Sequence, residues 1–211
     1  MALISQASEP MCLRQHAVEK WVLRQLGSID HERRVKEIAS KLFDLTWPLH
    51  GLGRAERRLL SLAAAVHDVG RSIDDDTHPQ QGADMLVEAD HLPLSSSQRR
   101  ALAYLTRYHR GKVPDCGADE VLRRTDDHEA LRMTLALLRA ADSLDSRQIA
   151  SPRLVFALLD RRLFITCYLD SDTPKARKVY SRRKKFRLLE ELLDCRVDVQ
   201  IAHAHALGMV A

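Results

Sequence analysis

The first three quarters of the chain carry apolar residues at helical spacing between short punctuating loops. Met11 to Leu26 predicts an opening helix, closed by Gly27-Ser28. Asp30 is placed to cap a second helix from near His31 to Leu45, with Val35, Ile38 and Leu42 on one face. After a loop marked by Pro48, Gly51 and Gly53, Ala55 to Val66 predicts a very apolar helix that ends at His67-Asp68-Val69-Gly70, with Gly70 as its stop. A helix near Gln80 to Glu88 follows, then one capped by Ser95 to Ser97 that carries Tyr104 to His109. A turn of helix about Asp119 to Arg124 and a long core helix, His128 to Leu144, complete the series.

Beyond Pro152 the period changes to two. Leu154 to Leu158 and Leu163 to Leu169 predict a hairpin turning at Asp160-Arg161, and Val197 to Ile201 alternates as a third strand. Lys175 to Leu193 predicts an amphipathic helix with Tyr180, Leu188 and Leu192 inward. The expected fold is mainly α: a helical bundle over 1–151, then a small α+β domain over 152–211 in which one helix covers three antiparallel strands.

The helical stripes run onto residues that are costly to bury. His31 precedes the Val35 stripe by a turn, and Leu60 and Ala63 lead to His67 with Asp68 beside it. Leu102 and Leu105 point the same way as His109, while Leu131, Leu135 and Leu138 are followed in step by Asp142. Burying an ionised carboxylate or an unsatisfied imidazole costs several kcal/mol, and convergence on a shared divalent ion removes that cost. Taken singly, His109 reads as a core histidine, His31 as interfacial and Asp142 as an arginine partner; the four in phase read as a metal site.

Composition narrows the partners. Of 211 residues 45% are apolar and 29% charged, which suits a soluble globular chain, and Met1 to Leu13 lacks the unbroken apolar core of a signal peptide. No run approaches a membrane span, so a cytoplasmic location is expected. Cys12, Cys116, Cys167 and Cys195 are scattered without CxxC spacing, which suggests neither a zinc knuckle nor a disulfide framework. A net charge of +4 leans toward anionic partners, but aromatics are 5% and no basic stretch is interleaved with them, so nucleic acid is not expected. A phosphate-bearing small molecule or polyphosphate fits better.

The segments HERRVKEIASKLFD, LLSLAAAVHDVGRSI, ALAYLTRYHRGKVP and LRMTLALLRAADSLDSR, within roughly His31 to Ile201, resemble the C-terminal helical region of the exopolyphosphatase and guanosine pentaphosphate phosphatase family. The resemblance implies that phosphate hydrolysis in that family belongs to a preceding actin-like domain, which is not expected within these 211 residues. The order His, His-Asp, further His, Asp is similar to that of HD phosphohydrolases, whose centres hydrolyse phosphate esters directly. That likeness implies His31, His67, Asp68 and Asp142 as core ligands, with Asp68 bridging if two ions bind and His78 and His109 serving the second ion.

Mixed imidazole and carboxylate ligands suit Mn, Fe, Co, Ni or Zn, with Mg less favoured. Arg71, just beyond the His-Asp pair, and Arg147, just beyond Asp142, are the foremost candidates to hold phosphate oxygens and assist catalysis beside Asp68. Arg107 and Lys112 are further substrate-binding candidates, although Arg107, Arg110 and Arg139 also read as solvated helix sides. The run Arg182-Arg183-Lys184-Lys185 reads as a solvated helix face or, with Lys175, Arg177 and Lys178, as a polyanion-binding strip. His203 and His205 are placed only for adventitious metal. Two functions follow. One is a metal-dependent phosphohydrolase of a nucleotide-like or polyphosphate substrate. The other is a non-catalytic accessory module that binds such a ligand for a separately encoded catalytic domain. A homodimer is compatible with either.

Overall fold

The computed structural model describes residues 11–203 apart from 116 and 172, without the side chains of Met11 and Cys12. The segment 1–10, Cys116 and His205 lie outside the described residues. α1 (Met11–Leu26) buries Val18, Trp21 and Val22, and α2 (Asp30–His50) buries Val35, Ile38 and Leu42 as its stripe requires. Asp30 occupies the first helical position rather than the cap, and α2 runs past Leu45 through Pro48. Gly51, at φ +62, ends it by donating its N–H to the Trp47 carbonyl at 2.9 Å, a left-handed geometry that glycine adopts without strain.

α3 (Arg54–Val66) supplies Leu60, Ala63 and Ala64 to the core and stops before His67. Gly70 does not terminate it. Gly70 lies in a following 3-10 turn, Val69–Ser72, where an added Cβ would stand 2.2 Å from the His78 carbonyl oxygen and 2.4 Å from the Gly82 nitrogen. Its role is close backbone approach: it lets α4 (His78–Glu88) lie against the turn that carries Asp68. α5 (Ser96–Tyr108) begins with a reciprocal cap, in which Ser95 Oγ accepts the Gln98 N–H and Gln98 Oε1 accepts the Ser95 N–H. The turn expected about Asp119 to Arg124 is not helical; Asp119 Oδ1 accepts the N–H groups of Val121 and Leu122 and holds a non-helical turn. α6 (His128–Ser143) is the central helix, packed on α2, α3 and α5.

β1 (Arg153–Leu159) and β2 (Arg162–Leu169) form the expected hairpin, with Phe156 opposite Ile165 and Leu158 opposite Leu163. Asp160 and Arg161 both have positive φ, the two-residue geometry that matches strand twist. β3 (Arg196–His203) joins the same sheet on the far side of β2, but parallel to it rather than antiparallel. The intervening helices form a crossover that returns the chain in the direction of β2. The single helix expected over 175–193 is divided into α7 (Pro174–Tyr180), a 3-10 turn at Arg183–Phe186 and α8 (Arg187–Leu193). Tyr180 and Phe186 are both buried, yet on a continuous α-helix they would point about 120° apart; the break lets both face inward. The reset also buries Leu189 and Leu193 fully in the core, with Leu188 and Leu192 half-buried against it. α6 packs on α8 and on this 3-10 turn, so one apolar core runs from the bundle into the C-terminal sheet. Among the described residues no helix is long and apolar enough to cross a membrane.

Candidate metal centre

Six polar side chains converge in the interior of the bundle, and all are buried: His31 in the first turn of α2, His67 and Asp68 after α3, His78 at the start of α4, His109 after α5, and Asp142 near the end of α6. They form two groups, His31, His67 and Asp142 in one and Asp68, His78 and His109 in the other. His31 Nε2 and His67 Nε2 lie 3.5 and 3.6 Å from Asp142 Oδ1. His78 Nε2 and His109 Nε2 lie 3.2 and 3.4 Å from Asp68 Oδ1 and 3.3 Å from each other. Asp68 also reaches the first group, with His67 Nε2 at 3.7 Å and His31 Nε2 at 3.8 Å. Donors bound to one ion at about 2.1 Å stand about 3.0–3.5 Å apart at tetrahedral or octahedral angles, so these spacings are those of ligand sets.

The protonation of each imidazole points the same way. His67 Nδ1 is 2.9 Å from the Ala64 carbonyl, His78 Nδ1 2.6 Å from the Asp75 carbonyl and His109 Nδ1 2.6 Å from the Thr106 carbonyl. A carbonyl only accepts, so Nδ1 must carry the proton. His31 Nδ1 likewise donates to Asp145 Oδ2 at 2.6 Å. All four rings therefore aim Nε2 at the carboxylates, and His31 Nε2, His67 Nε2 and Asp68 Oδ1 are buried without a hydrogen-bond partner. Buried orphaned lone pairs facing one another are unfavourable unless positive charge sits among them, and Nδ1 held from behind is the arrangement that orients a metal-binding histidine. The residues present fit one or two divalent ions.

Electrostatics agrees. Burial works against the charge on Asp142, but the close imidazoles of His31 and His67 and the Lys185 ammonium hold its carboxyl well below the usual range. Burial likewise opposes ionisation of Asp68, and His67, His109 and His78 outweigh it, so Asp68 also stays an anion. Burial would lower His31, yet contacts with Asp142 and Asp145 raise it to about 9, whereas burial prevails at His109 and lowers it to about 4. Two interior carboxylates thus demand compensating cations, from protons or from metal.

Two expected arginines reach the centre. Arg71 Nε donates to Asp68 Oδ2 at 2.8 Å and pairs with Asp75, while Arg147 Nε donates to the same oxygen at 3.1 Å and pairs with Glu32. Both line a cleft of about 260 Å³ that opens onto His31, Asp68 and Asp142. Arg107 and Lys112 do not line it: Arg107 stacks on Tyr108, and Lys112 is exposed in the loop after α5. Arg139 ties the Tyr108 and Gly111 carbonyls rather than facing the centre. A larger cavity of about 410 Å³ lies among α1, α3, α5 and α6, but it contains none of the six ligand candidates. Of its acids, Glu56 and Asp127 are engaged in capping α3 and α6, and Asp126 accepts the Arg123 N–H.

Sequence reading missed Asp145, which holds His31 and is itself held by Arg34 Nε at 2.9 Å and Ser151 Oγ at 2.6 Å. It stands just beyond the end of α6, where no helical period carries the stripe that predicts Asp142. Lys185, expected only as part of the basic run, also reaches the centre. Its Nζ lies 2.9 Å from Asp142 Oδ2, far in sequence from the bundle. Arg110 and Arg182 line the cleft as well.

Comparison with known families matches residues 13–162 to Ppx/GppA phosphatase, domain III. No curated protein matches the chain.

Proposed function

The chain belongs to the Ppx/GppA phosphatase domain III family, and from that premise we propose that it is an HD-type phosphohydrolase acting on a nucleotide-like or polyphosphate substrate. The observation that carries the reading is the set of four imidazoles, each fixed by its Nδ1 proton, whose Nε2 atoms surround two buried carboxylates at ligand spacing. His31, His67 and Asp142 would hold one ion and Asp68, His78 and His109 a second, with Asp68 close enough to touch both. Mn, Fe, Co, Ni and Zn suit these donors better than Mg. Such ions, when bound, lower the pKa of a coordinated water to about 7 and polarise a phosphoryl oxygen.

The protein's own residues then do the positioning. Asp145 keeps His31 in the tautomer that leaves Nε2 free. Arg71 and Arg147, now resting on Asp68 Oδ2, are placed to donate to phosphate oxygens at the mouth of the cleft, where a guanidinium binds two oxygens at once. The surrounding core of α2, α3 and α6 keeps bulk water from the inner face of the carboxylates.

A second reading is favoured by the matched family's description as one domain of a phosphatase: an accessory module that binds phosphate for a catalytic domain elsewhere. Metal analysis of the purified protein, joined to phosphate release from nucleotides, cyclic nucleotides and polyphosphate with Mn, separates the two. The hydrolase reading expects bound metal and a turnover that Asp68→Ala abolishes. Polyanion binding without phosphate release from any substrate would replace it with the accessory reading.

A further inference from the structure

The basic run Arg182-Arg183-Lys184-Lys185 is not one solvated strip. In the 3-10 turn over Arg183–Phe186, side chains three residues apart share a side, so Arg182, just before the turn, and Lys185 fall together on the wall of the cleft. Arg183 goes elsewhere, to Glu190 Oε1 at 2.9 Å and toward Asp198. Phe186, buried against α6, pins the turn in place. Lys185 Nζ therefore stands 2.9 Å from Asp142 Oδ2, the oxygen that faces away from His31 and His67. Arg182 is exposed and has no hydrogen bond or ion pair among the described residues.

These two cations differ from Arg71 and Arg147, which are both committed to Asp68 Oδ2. Lys185 contacts the other carboxylate, and Arg182 has no polar partner among the described residues. An ammonium on a flexible stem and a planar guanidinium side by side can receive a tetrahedral oxyanion, one as a point charge and the other through two parallel N–H groups. At about 260 Å³ the cleft approaches the size of small-ligand sites, about 300 Å³ and upward, and exceeds what a lone phosphate needs. We propose that Arg182 and Lys185 form a second phosphate subsite, supplied by the C-terminal α+β region, which binds the phosphate linked to the one held by Arg71 and Arg147. The proposal rests on the reading of this cleft as a phosphate site. Lys185 occupies Asp142 until the ligand arrives and then turns to the phosphate oxygens.

The test compares orthophosphate and pyrophosphate by calorimetric titration of the Mn-loaded full chain, with bound metal and unfolding midpoint measured on the same samples. For Arg182→Ala/Lys185→Met, pyrophosphate should bind at least about tenfold more weakly, the loss of a charge-assisted hydrogen bond, while orthophosphate changes less than about twofold. Arg182→Ala alone, at an exposed position with no polar partner among the described residues, should move pyrophosphate in the same direction with an unchanged midpoint. Equal weakening of both anions, or none, overturns the subsite. So does a Lys185→Met protein that only gains metal affinity, because Lys185 would then merely neutralise Asp142. If no substrate is hydrolysed yet pyrophosphate binding follows these variants, the hydrolase reading fails and the subsite stands. Hydrolysis with variants indistinguishable from wild type gives the converse.

Discussion

The two walls of the cleft are built on opposite principles. The helical wall presents six buried ligand candidates, each imidazole fixed through Nδ1, on elements that also form the centre of the apolar core. The C-terminal wall presents Lys185, whose side chain is 28% exposed, and the exposed Arg182, on a turn and linker between two short helices. Groups that must wait in the interior cost several kcal/mol each if they are unpaired, so they need exact preparation by neighbours. Cations that grip a ligand at the mouth stay hydrated until it arrives and need only be held within reach. Rigidity and reach are thus assigned to different parts of the chain.

The largest expected effect breaks the helical wall. Asp68 sits within 3.8 Å of four imidazoles and receives two guanidinium donors, so Asp68→Ala leaves Arg71 and Arg147 without their shared anion. Removing one partner from a buried ionic network costs about 3–5 kcal/mol, and denaturant unfolding of the metal-free variant should read a loss of that order. Metal analysis should find the second ion absent. An Asp68→Ala protein of wild-type stability that retains two ions would contradict the preorganised wall.

Gly70→Ala tests the same wall through the backbone. Its new Cβ would meet the His78 carbonyl oxygen and the Gly82 nitrogen, so α4 must retreat and carry His78 with it. Overpacking of this kind costs about 1–3 kcal/mol. Because His31, His67 and Asp142 stand on other elements, one ion should remain and the other be lost, a stoichiometry that metal analysis reads directly.

This contrast also separates what was legible in sequence from what was not. The helical stripes set where His31, His67, His109 and Asp142 point, since a 3.6-residue period through a core helix fixes direction along with burial. His78 begins α4 rather than extending a stripe, and its place depends on Gly70 allowing two backbones to touch, a close approach without a periodic signal. Lys185 was hidden for a different reason. A run of four basic residues within one helix reads by its charge as a solvated face, whereas burying both Tyr180 and Phe186 breaks the helix and changes the period to three. The parallel pairing of β3 was hidden as well, because alternation identifies a strand but is silent on its direction.

Asp145→Asn sharpens the comparison at the support of the helical wall. It retains the size of the side chain but weakens the acceptor behind His31 Nδ1 and the pair with Arg34. Replacing such outer supports lowers metal affinity about 10–100-fold, so a competition titration with a chelating dye should find a drop in that range for one ion only. An unchanged affinity for both ions would assign Asp145 to packing between α2 and the linker at Ser151.

The smallest effect is expected from Arg183→Ala, and it discriminates between neighbours. Arg183 is half-exposed and pairs with Glu190, which separately accepts the Val197 N–H at 2.9 Å and so joins α8 to β3 without its help. Exposed pairs contribute about 0.2–1 kcal/mol, and the unfolding midpoint should fall only slightly. Pyrophosphate binding should not change, because the turn directs Arg183 toward the sheet while Arg182 and Lys185 face the cleft. If Arg183→Ala instead weakened pyrophosphate as much as Arg182→Ala, and added salt erased both effects together, the run would be acting as a diffuse positive field. The C-terminal wall would then contribute charge in general rather than two positioned donors.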